Sequence, residues 1–278
     1  MENLEQIATE LKNGDTILYL GMNIFARSSF EDGTPVPFDS DSLILALNNS
    51  RPMAPKLMYE YSRAAMNIEQ RDGRKALEQK LIGIFSKKFS TVAAHELVRK
   101  IHPRYVVDTN YDDTLLSIYA DTSHSVILGK ARLGAEHDRF EIFEYNLDEK
   151  RYTKVAKEQI NLDNPIIFKP MGSHNPAQTH IISDADFVDW ITEAMGGFAL
   201  PPALKQFRVG KKYLFLGLAF DKDTQRMVAN EITLDLAGGY FVHDGAMTKN
   251  GVNFLTSHKM EQITEDPNLF AKKLLEIF

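Results

Sequence analysis

The chain has 278 residues, of which 44% are hydrophobic, so it is long enough to bury a full core as one large or two small domains. Its net charge of -6 is spread along the sequence without a basic stripe interleaved with aromatic residues, which argues against nucleic acid as a ligand. Cysteine is absent, and this excludes disulfides, thiolate zinc sites, iron–sulfur clusters and a cysteine nucleophile.

The N-terminal residues and the apolar runs bear on the location of the protein. The N-terminus contains neither the basic segment nor the apolar segment of a secretory signal. No apolar run is long enough to span a bilayer. We therefore expect a cytoplasmic, unexported protein that does not bind membranes.

The first predicted elements are a helix, a buried strand and a long loop. Residues 4–11 have apolar side chains at helical spacing and precede Lys12-Asn13-Gly14, which is typical of a helix end. Residues 16–21 form a continuous apolar run that ends in Gly21, as expected of a strand covered on both faces. Residues 22–37 are polar and marked by Pro and Gly, so we predict a loop that could cover a ligand.

Residues 42–100 change to helical periodicity, with charged residues between the apolar ones. Within this stretch Met58, Tyr61 and Met66 fit core packing better than the wall of a ligand site. We predict an all-helical insertion over residues 39–100, packed beside a domain formed by residues 1–38 and 101–278. The predicted helices cover residues 42–47, 55–67, 73–85 and 91–101.

The stretch 105–113 is the centre of the prediction, because it begins as a β-branched run and ends in polar residues. A buried parallel strand here delivers Thr109, Asn110 and Asp112 to its carboxyl end, where open α/β sheets bind ligands. Two other interpretations stay open. Asp112 or Asp113 also suits the N-cap of a helix at residues 115–119, and an amide such as Asn110 is common in turns.

The rest of the chain alternates strands with helices, which predicts an α/β fold with a mostly parallel sheet and helices on both faces. Ser183 is a candidate N-cap, with Asp186 three residues later as an acidic variant of the capping box. The predicted strands cover residues 125–129, 164–174, 212–221, 240–243 and 252–255, with a hairpin over 139–155 that turns at 146–150. The predicted helices begin near residues 183, 201, 223 and 266.

Four strand ends, taken in order, resemble the sirtuin-like family, and in particular the bacterial sirtuin-like NAD hydrolase domains of antiphage defence proteins. Thr109-Asn-Tyr-Asp112 matches the T-N-Y-D segment of that family. Lys169-Pro-Met-Gly-Ser173 is similar to its K-x-H-G-S strand, and residues 215–223 resemble its F-x-G-x-S-x-x-D segment. Residues 16–21 and 33–37 lie where the family has its phosphate loop and its G-x-P segment.

The resemblance implies a Rossmann-like sheet with a helical insertion, NAD bound across the strand ends and cleavage of the bond between nicotinamide and ribose. In that scheme Asn110 orders the ribose hydroxyls or the attacking water, and Asp112 holds nicotinamide or the loop. Gly21 and the neighbouring amides face the pyrophosphate. The full set of residues that the resemblance assigns to NAD binding is Gly21, Met22, Asn23, Thr109, Gly172, Ser173 and Gly217.

The departures from the family pattern concern proton transfer and the phosphate loop. Met171 occupies the position of the family's histidine, and a thioether cannot accept or deliver a proton near neutral pH. His174 could replace it as the base, although an ordinary histidine near a turn is an equal alternative. In the loops, larger or apolar residues replace small and hydroxyl-bearing ones, namely Met22, Asn23, Phe25, Leu218 and Ala219.

Three functions are compatible with these residues. We favour a sirtuin-like nucleotide-binding or scaffolding subunit with an eroded catalytic site, paired with a protein partner or with a second copy. The alternative is an active NAD hydrolase that uses Asn110 and His174. An unrelated enzyme with a metal on Asp108, Asp112 and Asp113 is a third, weaker interpretation. A zinc-dependent protein deacetylase is not expected, because the cysteines of its zinc ribbon are missing.

Overall fold

The computed structural model describes residues 2–278, so Met1 of the predicted segment 1–38 lies outside the described residues. This part of the chain forms one nine-stranded sheet in the order β5-β4-β3-β6-β2-β1-β7-β8-β9. The strands are β1 (Thr16–Leu20), β2 (Tyr105–Asp108), β3 (His124–Gly129), β4 (Phe140–Asn146), β5 (Arg151–Val155), β6 (Ile166–Lys169), β7 (Lys212–Leu216), β8 (Gly239–Val242) and β9 (Met260–Ile263). Strand β4 runs antiparallel to both of its neighbours, and the other pairs are parallel. The α/β, Rossmann-like fold class is therefore confirmed.

The helices cover both faces of the sheet, and strand residues alternate between the two cores as the period of two requires. Ile17 and Tyr19 of β1 belong to one core, whereas Leu18 and Leu20 belong to the other. Within residues 2–278 the α-helices are α1 (Glu2–Asn13), α2 (Ser40–Leu47), α3 (Pro55–Met58), α4 (Tyr61–Asp72), α5 (Arg74–Phe85), α6 (Ala93–Ile101), α7 (Thr114–Ile118), α8 (Asp184–Ala194), α9 (Lys205–Arg208), α10 (Asp223–Ile232), α11 (Lys249–Ser257) and α12 (Pro267–Leu275).

The two faces carry different sets of helices. Buried residues of α2, α4, α5, α8, α10 and α11 pack in the core that contains Ile17. Those of α1, α6, α7 and α12 pack in the core that contains Leu18. The predicted division into a domain of residues 1–38 and 101–278 and an insertion over 39–100 stays a prediction. Within the predicted insertion, α6 lies on the opposite face of the sheet from α2, α4 and α5.

Three predicted elements differ from the structure. Residues 252–255 are not a strand but part of α11, whose N-cap Thr248 accepts a hydrogen bond from the amide of Gly251 at 3.1 Å. Such a short apolar run does not distinguish a buried helix from a strand. The predicted helix over 55–67 is broken between α3 and α4, where Glu60 is extended with φ of -153°. The predicted loop over 22–37 begins with a 3-10 helical turn over Met22–Phe25.

A buried carboxylate joins the helical layer to the sheet. Asp186 lies in the first turn of α8, after the N-cap Ser183 as predicted, and its carboxylate accepts hydrogen bonds from the amides of Ile182 and Ser183. It also forms ion pairs at 2.6 Å with Arg74 of α5 and with Arg132 of the β3–β4 connection. Burial opposes ionisation, but Arg74 and the two amides hold the pKa of Asp186 below its ordinary value. The helices beside the sheet are thus fixed over the strand ends.

Candidate active site

The four central strands bring the predicted motif segments to one edge of the sheet. Strands β6, β2, β1 and β7 are parallel neighbours, so their carboxyl ends lie side by side. A cavity of about 40 Å³ lies there, and its wall includes Met22, Thr109, Asn110 and Met171. The remaining lining residues are Tyr19, Tyr61, Tyr111, Phe187, Leu218, Thr224, Gln225 and Val228. We call this space the Asn110 cavity.

Asn110 contributes an unpartnered amide to this cavity. The residue is 2% exposed, and within residues 2–278 neither Oδ1 nor Nδ2 of its side chain has a hydrogen-bond partner. Its backbone amide donates to Oδ1 of Asp108 at 3.1 Å, which shapes the turn after β2. A buried polar group left unpaired costs about 1–3 kcal/mol. Such a group is therefore typical of a position that binds a ligand.

Lys169, at the end of β6, fixes the turn that carries Asn110. Its fully buried Nζ donates to Oδ2 of Asp108 at 2.7 Å and to the carbonyl oxygens of Asn110 at 2.7 Å and Asp112 at 2.9 Å. These three acceptors use all three protons of the ammonium group. Burial opposes the charge, but the carboxylates of Asp108 and Asp112 keep the pKa of Lys169 above its ordinary value.

Met171 places a thioether on the wall of the Asn110 cavity. The residue is 4% exposed, and its carbonyl oxygen accepts a hydrogen bond from the amide of Ile181 at 2.9 Å. The following Gly172 has φ of +75°, and a Cβ there would lie 2.3 Å from the carbonyl oxygen of Thr179. The close approach of residues 179–181 thus holds Met171 in place and requires glycine at position 172.

The structure places His174 and Asp112 on a different cavity from Asn110. Both line a more open space of about 400 Å³ on the other side of the turn. Nε2 of His174 lies 3.0 Å from Oδ2 of Asp113, and the hydroxyl of Ser173 donates to Oδ1 of the same carboxylate at 3.0 Å. Burial alone would raise the pKa of Asp113, but these contacts lower it. His174 therefore supports Asp113 and does not line the Asn110 cavity.

The contacts of Asp112 and Asp113 show which of the two side chains bonds to the start of α7. Oδ1 of Asp112 accepts from the amide of Thr114 at 2.9 Å, at the start of α7. Asp113 occupies the N-cap position but makes no capping hydrogen bond with its side chain. Oδ2 of Asp112 is buried and has no partner in the described residues.

The predicted phosphate loop is closed against the loop that follows β7. The amide of Gly21 donates to the carbonyl of Leu216 at 2.8 Å, and the amide of Asn23 donates to the carbonyl of Gly217 at 2.8 Å. A Cβ on Gly21 would lie 2.5 Å from the carbonyl oxygen of Gly217 and 2.6 Å from Cγ of Leu218. The close contact between the two loops therefore requires glycine at position 21. The amides of Gly21 and Asn23 already donate hydrogen bonds within the protein.

A contact between α4 and α10 closes the Asn110 cavity from the helical side. The carboxylate of Glu60 accepts hydrogen bonds from the hydroxyl of Thr224 and, at 3.2 Å, from its backbone amide. Glu60 is buried, and its neighbour Tyr61 lines the cavity with Thr224. Ligand pockets typically measure about 300–1,000 Å³. The Asn110 cavity, at about 40 Å³, is much smaller, and Met22 and Leu218 are among the side chains that line it.

Within residues 2–278 no group of three or more His, Cys, Asp or Glu side chains is arranged to hold a metal ion, and Asp108 is paired with Lys169. No α-helix in the same range has the length and apolarity needed to cross a bilayer.

Sequence reasoning missed two residues of this edge, Lys169 as the anchor of the turn and Glu60 as the partner of α10. A signal for the first was present, because a lysine that ends the apolar strand Ile166–Lys169 must be paired when it is buried. No local signal marked Glu60, whose partner is 164 positions away in the sequence.

Part of the chain matches a known protein family. A family model described as SIR2-like domain matches residues 104–262, which are 159 of the 278 residues. The matched region contains β2 to β8 and thus both Asn110 and Met171, whereas β1 with Gly21 precedes it. A search of curated proteins gives no match.

Proposed function

We propose that this chain, which belongs to the SIR2-like domain family, is a nucleotide-binding or scaffolding subunit with an eroded catalytic site that turns over NAD weakly or not at all. Members of this family generally bind NAD. The observation that carries the proposal is that the unpartnered amide of Asn110 shares one small cavity with the thioether of Met171.

The binding half of the proposal is supported by the turn after β2. Lys169 holds the backbone of this turn rigid, and the side chain of Asn110 is left without a partner in the described residues. A ligand hydroxyl or amide would compensate the buried Oδ1 and Nδ2 atoms. The fit is incomplete, because the amides of Gly21 and Asn23 donate to protein carbonyls and do not face a pyrophosphate.

The erosion half is supported by the chemistry of the cavity wall. Loss of a positioned general base costs a factor of about 10²–10⁴ in rate. Met171 cannot act as one, and His174 lines another cavity. The small volume adds a second obstacle, because Met22 and Leu218 occupy space that a dinucleotide needs.

The second candidate function is an active, nicotinamide-releasing NAD hydrolase of the bacterial antiphage defence type. The retained Asn110 side chain favours it, since an amide that orders water or ribose hydroxyls would still contribute to cleavage. In this alternative the cavity opens on binding, and a water molecule is activated without Met171. A protein partner or a second copy would be needed to stabilise the open form.

Release of nicotinamide from NAD tests the two functions against each other. We expect purified protein to release nicotinamide no faster than a protein-free control. We also expect Met171→His alone to remain inactive, because the amides of Gly21 and Asn23 donate to protein carbonyls and cannot hold the pyrophosphate in place for cleavage. Robust release by the wild type that disappears in Asn110→Ala would overturn the proposal in favour of the hydrolase.

Calorimetric titration with ADP-ribose tests the binding half. We expect weak binding that Asn110→Ala reduces further. The matched control is Asn253→Ala, on the exposed side of α11, which removes an amide far from the strand ends and should leave the affinity unchanged. Equal heats in Asn110→Ala and wild type would show that the cavity does not contribute to binding and would leave a scaffolding role.

A further inference from the structure

Helix α8 has an apolar stripe on its outer side in addition to its buried face. Val188 is 66% exposed, and Met195, directly after the helix, is 72% exposed. Together with Ala185 and Thr192 they recur every three or four residues, so they lie along one side of the helix. The other side, which contains Trp190, packs in the core. A surface helix normally has one apolar side, so the outer stripe indicates a contact with another molecule.

The outer stripe borders a groove between α8 and α4. Its volume is about 500 Å³, and Met66 of α4 lines it together with Val188. The ionisable side chains that line it are all acidic, namely Asp184, Asp189 and Glu193. A groove with apolar and acidic residues suits a helix that carries apolar and basic residues on one side.

Neighbouring arginines neutralise the carboxylates of the groove only in part. Asp189 and Glu193 lie 2.8 and 3.9 Å from the buried Arg139, so both share one guanidinium group. Asp184 lies 4.0 Å from Arg63, which is half exposed. Three carboxylates thus share two guanidinium groups, and the groove keeps a negative charge.

Helix α12 has an exposed side of the complementary kind. Leu269 and Ile277 are exposed, and Lys272 and Lys273 lie between them in the sequence and are exposed as well. Lys273 pairs with Glu265, whereas Lys272 forms no ion pair within residues 2–278. This side of α12 therefore offers apolar and basic side chains together.

The helix beside α12 adds further basic residues. Helix α6 packs against α12, and Arg99 and Lys100 in its last turn are exposed. Arg99 lies 3.7 Å from Glu96, and this is an exposed ion pair that contributes little. Helices α6 and α12 cover the opposite face of the sheet from α8. The basic surface can therefore meet the acidic groove only between two molecules.

We propose that the groove between α4 and α8 binds α12 of a second copy of this chain, with Val188 and Met195 packed against Leu269 and Ile277. Each copy then uses its groove for one neighbour and its α12 for another, so the contact is head to tail. Because the two surfaces lie on opposite faces of the sheet, growth does not stop at two copies. This assembly goes beyond the proposed function, since it depends neither on binding of NAD nor on the loss of turnover.

Sedimentation equilibrium of the full chain tests the assembly. We expect the average mass to rise with protein concentration and to exceed that of a dimer. We expect it to fall when salt is raised from about 0.05 M to about 0.5 M, because salt screens exposed charges. Val188→Lys places a cation in the groove and should weaken association about tenfold or more. Leu269→Glu on α12 should weaken it to a similar extent.

A mixture of the two variants tests whether the surfaces bind each other. Val188→Lys keeps α12 intact, and Leu269→Glu keeps the groove intact. Each variant alone is expected to remain a monomer, whereas an equimolar mixture should form a one-to-one complex and nothing larger. Both positions are exposed, so both variants should fold, and Met195→Lys and Ile277→Glu repeat the test at second positions.

Control variants on α11 separate this contact from a general effect of surface charge. Val252→Lys and Lys249→Glu make the same changes of charge at exposed positions and should keep full association. The measurements are made without nucleotide, and Asn110→Ala should also associate fully. Failure of the assembly and failure of the proposed function are therefore separate results.

Three outcomes would overturn the proposal. The first is a wild type that stays monomeric at every concentration, which would leave the groove to a basic helix of another protein. The second is association that neither Val188→Lys nor Leu269→Glu weakens. The third is a mixture of these two variants that contains only monomers, because the groove and α12 would then not bind each other.

Discussion

The turn after β2 and the loop after β1 lie side by side at one sheet edge, yet they differ in what they offer a ligand. The turn holds Asn110 in a fixed geometry, because Lys169 binds two of its carbonyl oxygens. The loop places Met22 in the cavity and uses the amides of Gly21 and Asn23 for contacts with the loop after β7. The turn therefore leaves a buried amide without a partner, whereas the loop uses its amides and a side chain in contacts within the protein.

Removal of the Lys169 ammonium group should give the largest effect and would test whether the turn is held by the fold itself. Lys169→Met leaves Asp108 buried without a counterion, so we expect a loss of about 3–5 kcal/mol in the free energy of unfolding. Urea denaturation measures it. Lys154→Met is the control, because this exposed ion pair with Glu141 should contribute no more than about 1 kcal/mol. A similar small loss in both variants would refute the role of Lys169.

A methyl group at Gly21 should have an intermediate effect and tests the closed loop. Its Cβ would lie 2.5 Å from the carbonyl oxygen of Gly217, so Gly21→Ala should destabilise the protein by about 1–3 kcal/mol. Gly83→Ala on the exposed side of α5 meets no atom within 4 Å and should be neutral or stabilising. If Gly21→Ala unfolds at the wild-type urea concentration, the two loops are not in contact in solution.

The pH dependence of stability should give the smallest effect and probes the far side of the turn. Because His174 and Ser173 lower the pKa of folded Asp113, this carboxylate stabilises the protein above its unfolded pKa of about 4. That contribution is lost as the pH falls through the lowered value. Each pKa unit corresponds to about 1.4 kcal/mol.

The variant His174→Leu removes the main partner of Asp113 and isolates this contribution. We expect the stability difference between wild type and variant to shrink as the pH falls below about 4, where Asp113 becomes protonated. His258→Leu, whose Nε2 contacts the neutral side chain of Asn230, should not show this change. A difference that is independent of pH down to about pH 2 would indicate that the His174 contact with Asp113 is absent.

The sequence predicted the central strands of the sheet because they are continuous apolar runs, whereas it did not predict the edge strand β9. Strand β1 is buried at every position, as expected of a strand that is covered by helices on both faces of the sheet. The run Val252 to Leu255 was wrongly predicted as a strand, because four apolar residues fit a helix and a strand equally well. In the structure it is helical, and Phe254 and Leu255 are the apolar residues of the run that are buried. Turn residues near Asn146 marked the hairpin of β4 and β5 correctly.

The candidate site was less predictable than the fold, because its properties depend on contacts between distant segments. Asn110 and Met171 were placed on one cavity from their positions at parallel strand ends. That His174 lines a different cavity depends on its contact with Asp113, 61 positions earlier, which no local pattern encodes. Likewise, Met22 and Leu218 line the same cavity although they are far apart in the sequence.

The contact between Glu60 and Thr224 also bears on the rate at which any ligand reaches Asn110. Because Tyr61 and Thr224, on either side of this contact, line the cavity, we expect entry to require release of Thr224 by Glu60 and association to be limited by the fraction of molecules in which the contact is broken. In rapid-mixing experiments the observed rate would then level off as ligand concentration rises, and Glu60→Gln would raise that plateau.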